Sequence, residues 1–551
     1  MNNRKWYIAL LCALAFLLSV FPAAAEDSQA LIDSYNVEIY EPVTKIPAAP
    51  TVIAQGMTEF TDKRPATVLL TVYENGGKLY TRDASGAETL LDTQLALLCG
   101  LAMPMLQVED GAAAAALREM LWEMQLSNAF ILSGDAQLLK TVCDDNMYLR
   151  PVMDLSARGD MTVEEVGQAM FENGLTIVML DESQLSQEMT HCLQQHFMTV
   201  FARTSPDARS LHTQILSGVN GVVTENWQGA IAALEGYTDA TIVRPAHVVA
   251  HRGDPQAAPD NTLRAIASAA ENGADIIEID VRMTKDGVLI LCHDKEAPLA
   301  GYTKYPVPET ELSVLQSLEI ADARAESGDY LPTLAEAYQL IKEKYPHVVF
   351  EIDLKDRRIE VVKAIREVAR EHNTLVNTAL LCSNMNVNRQ ALKLPMGCAV
   401  INSDESSGAV RGGGAGKSAY LAEKAYRHAG GYLCQGTLYF STKLIEYMKH
   451  LGVTSWVYTM NSARDMDNRF LQGYSGMTTN VPAHGKNYAR YLKVEETDGV
   501  RKAMLHMYDG TTRDVTAECE EVTLEDGLTA LRCAQTLTNR KTYYIYSLPL
   551  Q

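Results

Sequence analysis

The stretch Asp275-Ile276-Ile277-Glu278-Ile279-Asp280-Val281 decides how this chain is read. It is a short, β-branched, nearly continuous apolar run, the pattern of a strand covered on both faces. Side chains alternate along a strand, so Glu278 and Asp280 point to the same side. A sister run, Val348-Val349-Phe350-Glu351-Ile352-Asp353-Leu354, lies downstream. Helical patterns at 262–272 and 359–371 flank the two runs, and the same alternation extends over roughly 46–490, with strands such as 66–72 and 176–180 and a helix over 113–124. Strands alternating with helices make a parallel sheet. More than 400 residues is too much chain for one sheet, and two α/β barrels of roughly 200–250 residues fit better.

The chemistry-bearing residues concentrate between 247 and 355. Val248-Val249 leads into Ala250-His251-Arg252-Gly253, and Pro259-Asp260-Asn261-Thr262 opens a helix with Asp260 or Asn261 near its cap. Thr284-Lys285-Asp286-Gly287 is a tight turn, Val288 to Leu291 reads as the next strand, and His293-Asp294 ends it. If these strands are parallel and consecutive, their polar residues meet at the C-terminal mouth of a barrel, where barrel active sites lie. Glu278, Asp280 and Asp353 then form a hard-oxygen site for Ca²⁺ or Mg²⁺. Arg252 and Lys355 supply positive charge for a phosphate. His251 and His293 can share proton donation and acceptance near neutral pH. A lone His at a strand end is ordinarily structural, and Glu-x-Asp is often a solvated edge. The ordered set of metal ligands, cations and paired histidines describes phosphodiester cleavage.

This set resembles the glycerophosphodiester phosphodiesterase family. His251-Arg252-Gly253, Pro259 to Thr262, Glu278-x-Asp280-Val281, Thr284 to Gly287 and His293-Asp294 carry the resemblance. So do Leu331-Pro332-Thr333-Leu334-Ala335-Glu336-Ala337, Asp353-x-Lys355, the run from Trp456 to Asn461, and the run from Gly473 to Pro482. It covers about 246–490. The resemblance implies a TIM (β/α)8 barrel, with Glu278, Asp280 and Asp353 as metal ligands and His251 and His293 as the catalytic acid/base pair. It also implies Arg252 and Lys355 as stabilisers of phosphate charge, and Asp260 and Asn261 as substrate-orienting residues. A glycerol hydroxyl would attack first, and the resulting cyclic phosphate would then be hydrolysed to glycerol phosphate and an alcohol. Asp260 and Asp353 stand where the family usually has Glu, Tyr458 where it has Trp, and Asn480 where it has Asp. The residues after His293-Asp294 follow the family pattern poorly, which touches substrate choice more than chemistry.

The remaining sequence frames this barrel. Arg4 and Lys5, the apolar run 6–21 and Pro22-Ala23-Ala24-Ala25 have the layout of a signal peptide over 1–25, so the protein is expected to be exported, with no transmembrane span after cleavage. Residues 26–45 read as a lead-in. With 48 Lys+Arg against 69 Asp+Glu, a net charge of −21, the chain is not expected to bind nucleic acid or to dock electrostatically on anionic lipid. Residues 46–245 read as a degenerate barrel: Gln55 stands for His251, Leu70 and Val72 for the acids, Arg82 for His293 and Gln107 for Asp353. Residues 491–551 read as a small β-rich appendage with turns at Asp509-Gly510 and Asp526-Gly527, in which Cys519 and Cys533 could pair. Gly412 to Ser418 imitates a phosphate-binding loop but reads as an ordinary loop. Two other functions are compatible with the sequence: a phospholipase that cyclises a lipid headgroup on the same barrel, and a non-catalytic envelope binding protein.

Overall fold

The computed structural model describes residues 46–402, 432–436, 442–497 and 500–550, apart from 57–62, 84–85, 99, 125, 127, 145 and 147–148. The signal-peptide and lead-in segments and the 412–418 loop lie outside the described residues.

Eight parallel strands build the first barrel: β1 (Thr51–Gln55), β2 (Thr67–Asn75), β3 (Met103–Val108), β4 (Ala129–Ser133), β5 (Leu149–Asp154), β6 (Ile177–Asp181), β7 (Thr199–Arg203) and β8 (Gly221–Thr224). They pair in sequence order, and β1 pairs with both β8 and β2, so the sheet closes. Eight further parallel strands follow: β9 (His247–His251), β10 (Ile276–Met283), β11 (Val349–Leu354), β12 (Thr378–Cys382), β13 (Ala399–Asn402), β14 (Tyr432–Gly436), β15 (Thr454–Met460) and β16 (Gly476–Thr479). They run in the order β13-β12-β11-β10-β9-β16-β15-β14, and the two end strands lie on either side of the segment 403–431. Among the described residues a helix follows most of these strands, which is the α/β barrel pattern that the alternation called for.

The interior of the first barrel is filled by Ile53, Leu69, Met103, Met105, Phe130, Ile177, Phe201 and Val223, and Met448, Leu451 and Val453 of the second barrel pack into the same cluster. The two barrels therefore meet at the N-terminal ends of their strands. Polar contacts at the junction agree: Thr51 Oγ1 lies 2.8 Å from His450 Nδ1, Thr199 Oγ1 donates to Gly452 O at 2.9 Å, and Gln195 Nε2 donates to Asp275 O at 2.6 Å. The C-terminal mouths open away from each other, so the first barrel's mouth cannot reach into the second's.

The strand register corrects the comparison of the two barrels. In the second, His251 faces Glu278, and Asp280 faces Asp353. In the first, Gln55 faces Leu69, and Thr71 faces Gln107. Leu69 and Thr71, not Leu70 and Val72, thus occupy the positions of Glu278 and Asp280. Leu70 and Val72 belong to the separate layer beneath the helices. A one-residue slip exchanges the two faces of a strand, and in 66–72 the set Thr67, Leu69, Thr71 alternates with the wholly apolar set Ala66, Val68, Leu70, Val72. The same register carries Asp83, not Arg82, to the position of His293. Gln55 and Gln107 stand where the sequence placed them. A cavity of about 190 Å³ opens at this mouth, lined in part by Gln55, Leu69, Thr71, Arg82 and Glu225.

The tail forms two three-stranded antiparallel sheets, 489–514 and 519–546. It straddles the junction. Ile242 N–H donates to Tyr544 O at 2.8 Å, and Arg209 donates to the carbonyls of Pro549 and Leu550. Tyr488, Tyr508 and Tyr543 pack with Phe470 of the second barrel. Cys519 and Cys533 stand directly opposite each other in the register, both as thiols. No helix among the described residues is long and apolar enough to cross a membrane.

Candidate active site

The site lies at the C-terminal ends of β9, β10 and β11. Glu278 and Asp280 point inward from β10 because they are two residues apart, and the β10–β11 register sets Asp353 beside Asp280. Carboxylate oxygens of Glu278, Asp280 and Asp353 lie within 4.8 Å of one another. Glu278 and Asp280 are buried, and Asp353 is partly exposed. So dense a cluster of like charge needs cations, and two side chains supply them. Lys355 Nζ lies 2.5 Å from Asp353 Oδ2 and 3.1 Å from Asp280 Oδ1, and Arg252 Nε lies 3.2 Å from Asp280 Oδ2. The backbone N–H of Arg252 also donates to Glu278 Oε2 at 2.9 Å. Burial, with Asp280 and Asp353 adding to it, raises the Glu278 pKa well above the carboxylate range. Burial works against the charge of Asp280, but Lys355 and Arg252 prevail and hold its pKa low.

The loop after β9 owes its shape to Gly253. Its φ is +87°, and a Cβ there would fall 2.7 Å from the backbone carbon of Ala265. Arg252 also takes a positive φ, +59°. This tight turn aims both the Arg252 backbone and its side chain at the acids.

His251 closes one side. Its Nδ1 lies 2.7 Å from Asn480 Oδ1, and its Nε2 is 4.0 Å from Glu278 Oε2. The Asn480 amide is oriented by Asn461, whose Oδ1 accepts from Nδ2 at 2.5 Å. The carbonyl oxygen of Asn480 therefore accepts Nδ1–H, and the lone pair is on Nε2. Burial, followed by the charge of Arg252, lowers the His251 pKa, so the ring is neutral at neutral pH.

His293 reaches the mouth by a different route from the one expected. The segment Leu289–Leu291 is not a further parallel strand but turns back antiparallel on β10. The connection from Thr284 to Gly287 is too short for a parallel crossover, which needs a dozen or more residues. Arg282 fixes the returning arm by donating from Nε and Nη2 to His293 O at 3.1 and 2.7 Å. His293 Nδ1 lies 2.8 Å from Asp294 Oδ1, and the side chain is partly exposed.

The segment 260–262 also differs from expectation. The helix Leu263–Glu271 is capped by Thr262, whose hydroxyl accepts from Ala265 N–H. Asn261 is buried behind Asp280. Its Nδ2 donates to Asp280 Oδ2 at 2.8 Å, and its Oδ1 accepts Asp280 N–H at 3.0 Å. One N–H and the carbonyl oxygen of Asn261 thus brace Asp280 from behind. Asp260 pairs with Arg252 at 3.2 Å and Arg324 at 3.1 Å. The structure thus brings His251, Arg252, Asp260, Glu278, Asp280, His293, Asp353 and Lys355 to one mouth. The sequence reading missed Asn480 as the partner of His251, Asn461 as the partner of Asn480, and Arg324. The sequence marked Asn480 only as the residue that stands where the resembling family usually has Asp.

Asn480 is a positioning residue with a readable signature. Asn480→Asp should stabilise the imidazolium of His251 and move the acidic limb of the pH–activity profile to higher pH. Asn480→Ala should lower kcat about tenfold or more, the low end for disturbing an acid–base group. A profile unmoved by Asn480→Asp would remove Asn480 from this role.

Residues 251–484 match the model of the glycerophosphoryl diester phosphodiesterase family. A glycerophosphodiester phosphodiesterase of Caldanaerobacter subterraneus is 27% identical over 250 residues, which are 43% of this chain and 94% of that protein. Human glycerophosphodiester phosphodiesterase 1 is 30% identical over 140 residues, which are 24% of this chain and 41% of that protein. A solved phosphodiesterase of Oleispira antarctica, in complex with its product sn-glycerol-3-phosphate, is 20% identical with a TM-score of 0.36, covering 43% of this chain and 94% of its own. Over residues 251–484 the second barrel is thus similar to the glycerophosphoryl diester phosphodiesterase family.

Proposed function

We propose that the second barrel hydrolyses glycerophosphodiesters to glycerol phosphate and an alcohol, using a divalent cation, Ca²⁺ or Mg²⁺. The observation that carries this reading is the convergence of three carboxylates, two histidines, an arginine and a lysine on one barrel mouth, within a segment that matches the family. The residues fit such a cation. Asp280 Oδ1 is buried and, beyond its ion pair with Lys355, accepts no hydrogen bond among the described residues, and the donors offered are all hard oxygens. Glu278, Asp280 and Asp353 would hold it, and it would supply Lewis-acid stabilisation of charge on the phosphate.

In this reading, His251 Nε2 takes the proton of the attacking hydroxyl as its oxygen bonds to phosphorus. His293 gives a proton to the departing alkoxide as the old P–O bond breaks. The roles reverse when water opens the cyclic phosphate. With the acids neutralised, Arg252 and Lys355 are left to donate N–H groups to the phosphate oxygens. The test is release of glycerol phosphate from glycerophosphocholine by the full-length protein, with and without chelator. A cyclic phosphate as the final product would instead favour a lipase-type reaction.

We further propose that residues 1–25 direct export, which the basic start, the apolar run and the Ala-rich end support. N-terminal sequencing of material made in the native host should begin near Glu26. Intact Met1-led protein retained in the cytosol would contradict export.

A further inference from the structure

At the junction of the two barrels, away from the active-site mouth, three ligand-type side chains converge from distant parts of the chain. His191 lies in the first barrel's helix Gln187–Gln195, His247 begins β9, and Asp275 immediately precedes β10. One nitrogen of each histidine and one oxygen of Asp275 lie within 4.8 Å of one another. His191 Nε2 is 3.4 Å from Asp275 Oδ1, and His247 Nδ1 is 3.6 Å from Asp275 Oδ2. Ligands at about 2.0–2.2 Å around a tetrahedral zinc are separated by roughly 3.3–3.6 Å. The two His–Asp separations are close to that spacing, each to a different oxygen of Asp275, and a single Asp275 oxygen lies within 4.8 Å of both histidines.

His247 supplies an independent observation. It is 1% exposed, and neither ring nitrogen has a hydrogen-bond partner. Its ring is held between His191, at 4.3 Å between centroids, and Trp456, stacked at 5.8 Å. A buried imidazole with no hydrogen bond among the described residues, and only a 3.6 Å approach of Asp275 Oδ2 to Nδ1, costs free energy that packing alone does not return. Arg490, a cation from the tail, bonds Asp275 Oδ1 through Nη2. Asp275 Oδ2, which accepts Val248 N–H at 3.2 Å, remains turned toward His247. A carboxylate can serve an arginine on one oxygen and a metal on the other.

We propose that His191, His247 and Asp275 form a structural site for a borderline transition-metal dication of the Zn²⁺ class, joining the first barrel to the second. Two imidazoles and one carboxylate suit Zn²⁺ rather than Ca²⁺ or Mg²⁺, which take all-oxygen sets, so the site differs in chemistry from the three-carboxylate cluster. With Arg490 alongside and a single carboxylate, its affinity should be moderate rather than that of a thiolate site.

The test uses full-length protein whose acidic cluster is disabled by Glu278→Gln and Asp353→Asn. After incubation with Zn²⁺ and dialysis, it should retain one equivalent and melt at a higher temperature than metal-free protein. Co²⁺ in its place should give the visible absorption of a tetrahedral site. His191→Gln, at the rim of the site, should remove both effects. Anomalous diffraction at the zinc edge from crystals of the unsubstituted protein should place an ion among His191, His247 and Asp275 without any mutation. No retained zinc and an unchanged melting temperature would overturn the proposal. So would retention that His191→Gln does not affect, or anomalous density only elsewhere.

Discussion

Replacing His251 or His293 by alanine is expected to lower kcat by about 10²-fold or more, the usual scale for losing a general acid or base. The two losses should differ in character. His251 is held in one tautomer by Asn480, and burial keeps it neutral, so its loss removes a prepared proton acceptor. His293 sits on a returning hairpin arm beside Asp294 and is more exposed. Its loss should be felt most with substrates whose alcohol is a poor leaving group and least with activated leaving groups. Neither side chain belongs to the apolar core, so the melting temperature of both variants should stay close to that of the parent. Turnover near the parent level in both would place the proton transfers elsewhere.

Removing divalent cations is expected to abolish activity, and Ca²⁺ or Mg²⁺ should restore it. The acids explain why the dependence should also be steep in pH. In the absence of a cation, burial and its neighbours Asp280 and Asp353 raise the Glu278 pKa, favouring the protonated carboxyl, while Lys355 neutralises the other two acids. A metal must displace that proton to use all three oxygens, so apparent affinity should weaken as pH falls and strengthen as pH rises. Proton release on titration with Mg²⁺ or Ca²⁺, measured in weakly buffered solution, checks this directly. Activity undiminished in metal-free protein would remove the cation from the reaction.

How much of this was legible in the sequence follows from the physics of each element. Glu278 and Asp280 could be placed together because alternation along a strand is strict, and the structure keeps them on one face. His251 and Lys355 followed because each stands at the end of a strand. His293 was placed at the mouth correctly, but by way of a parallel strand. The four-residue turn before it left only an antiparallel return, and the turn's length was the signal that could have shown it. Asn261 looked like a substrate contact because its burial depends on how the loop after Gly253 folds over Asp280, which local pattern does not encode. Asn480 depends on the sheet bringing β16 next to β9, a contact between residues 229 apart in the chain. In the first barrel the loss of acids was legible, and Thr67 and Thr71 mark the face of Leu69, but matching the run to 274–280 one residue out of step put Leu70 and Val72 in place of the acids. The way the barrels meet, with Met448, Leu451 and Val453 entering the first barrel's core, left no mark in the sequence pattern.

The central claim is that the second barrel alone carries the hydrolysis while the first contributes packing. Gln55, Leu69, Thr71 and Gln107 stand where the second barrel has His251, Glu278, Asp280 and Asp353. An apolar side chain cannot coordinate a hard cation, and a neutral hydroxyl or amide holds one far less well than a carboxylate. The most direct measurement is metal-dependent release of glycerol phosphate by full-length protein carrying Glu278→Gln, Asp280→Asn and His293→Ala. The account predicts a folded, inert protein although its first barrel is untouched. Residual metal-dependent turnover, after exclusion of contaminating enzyme, would contradict it and assign chemistry to the first barrel.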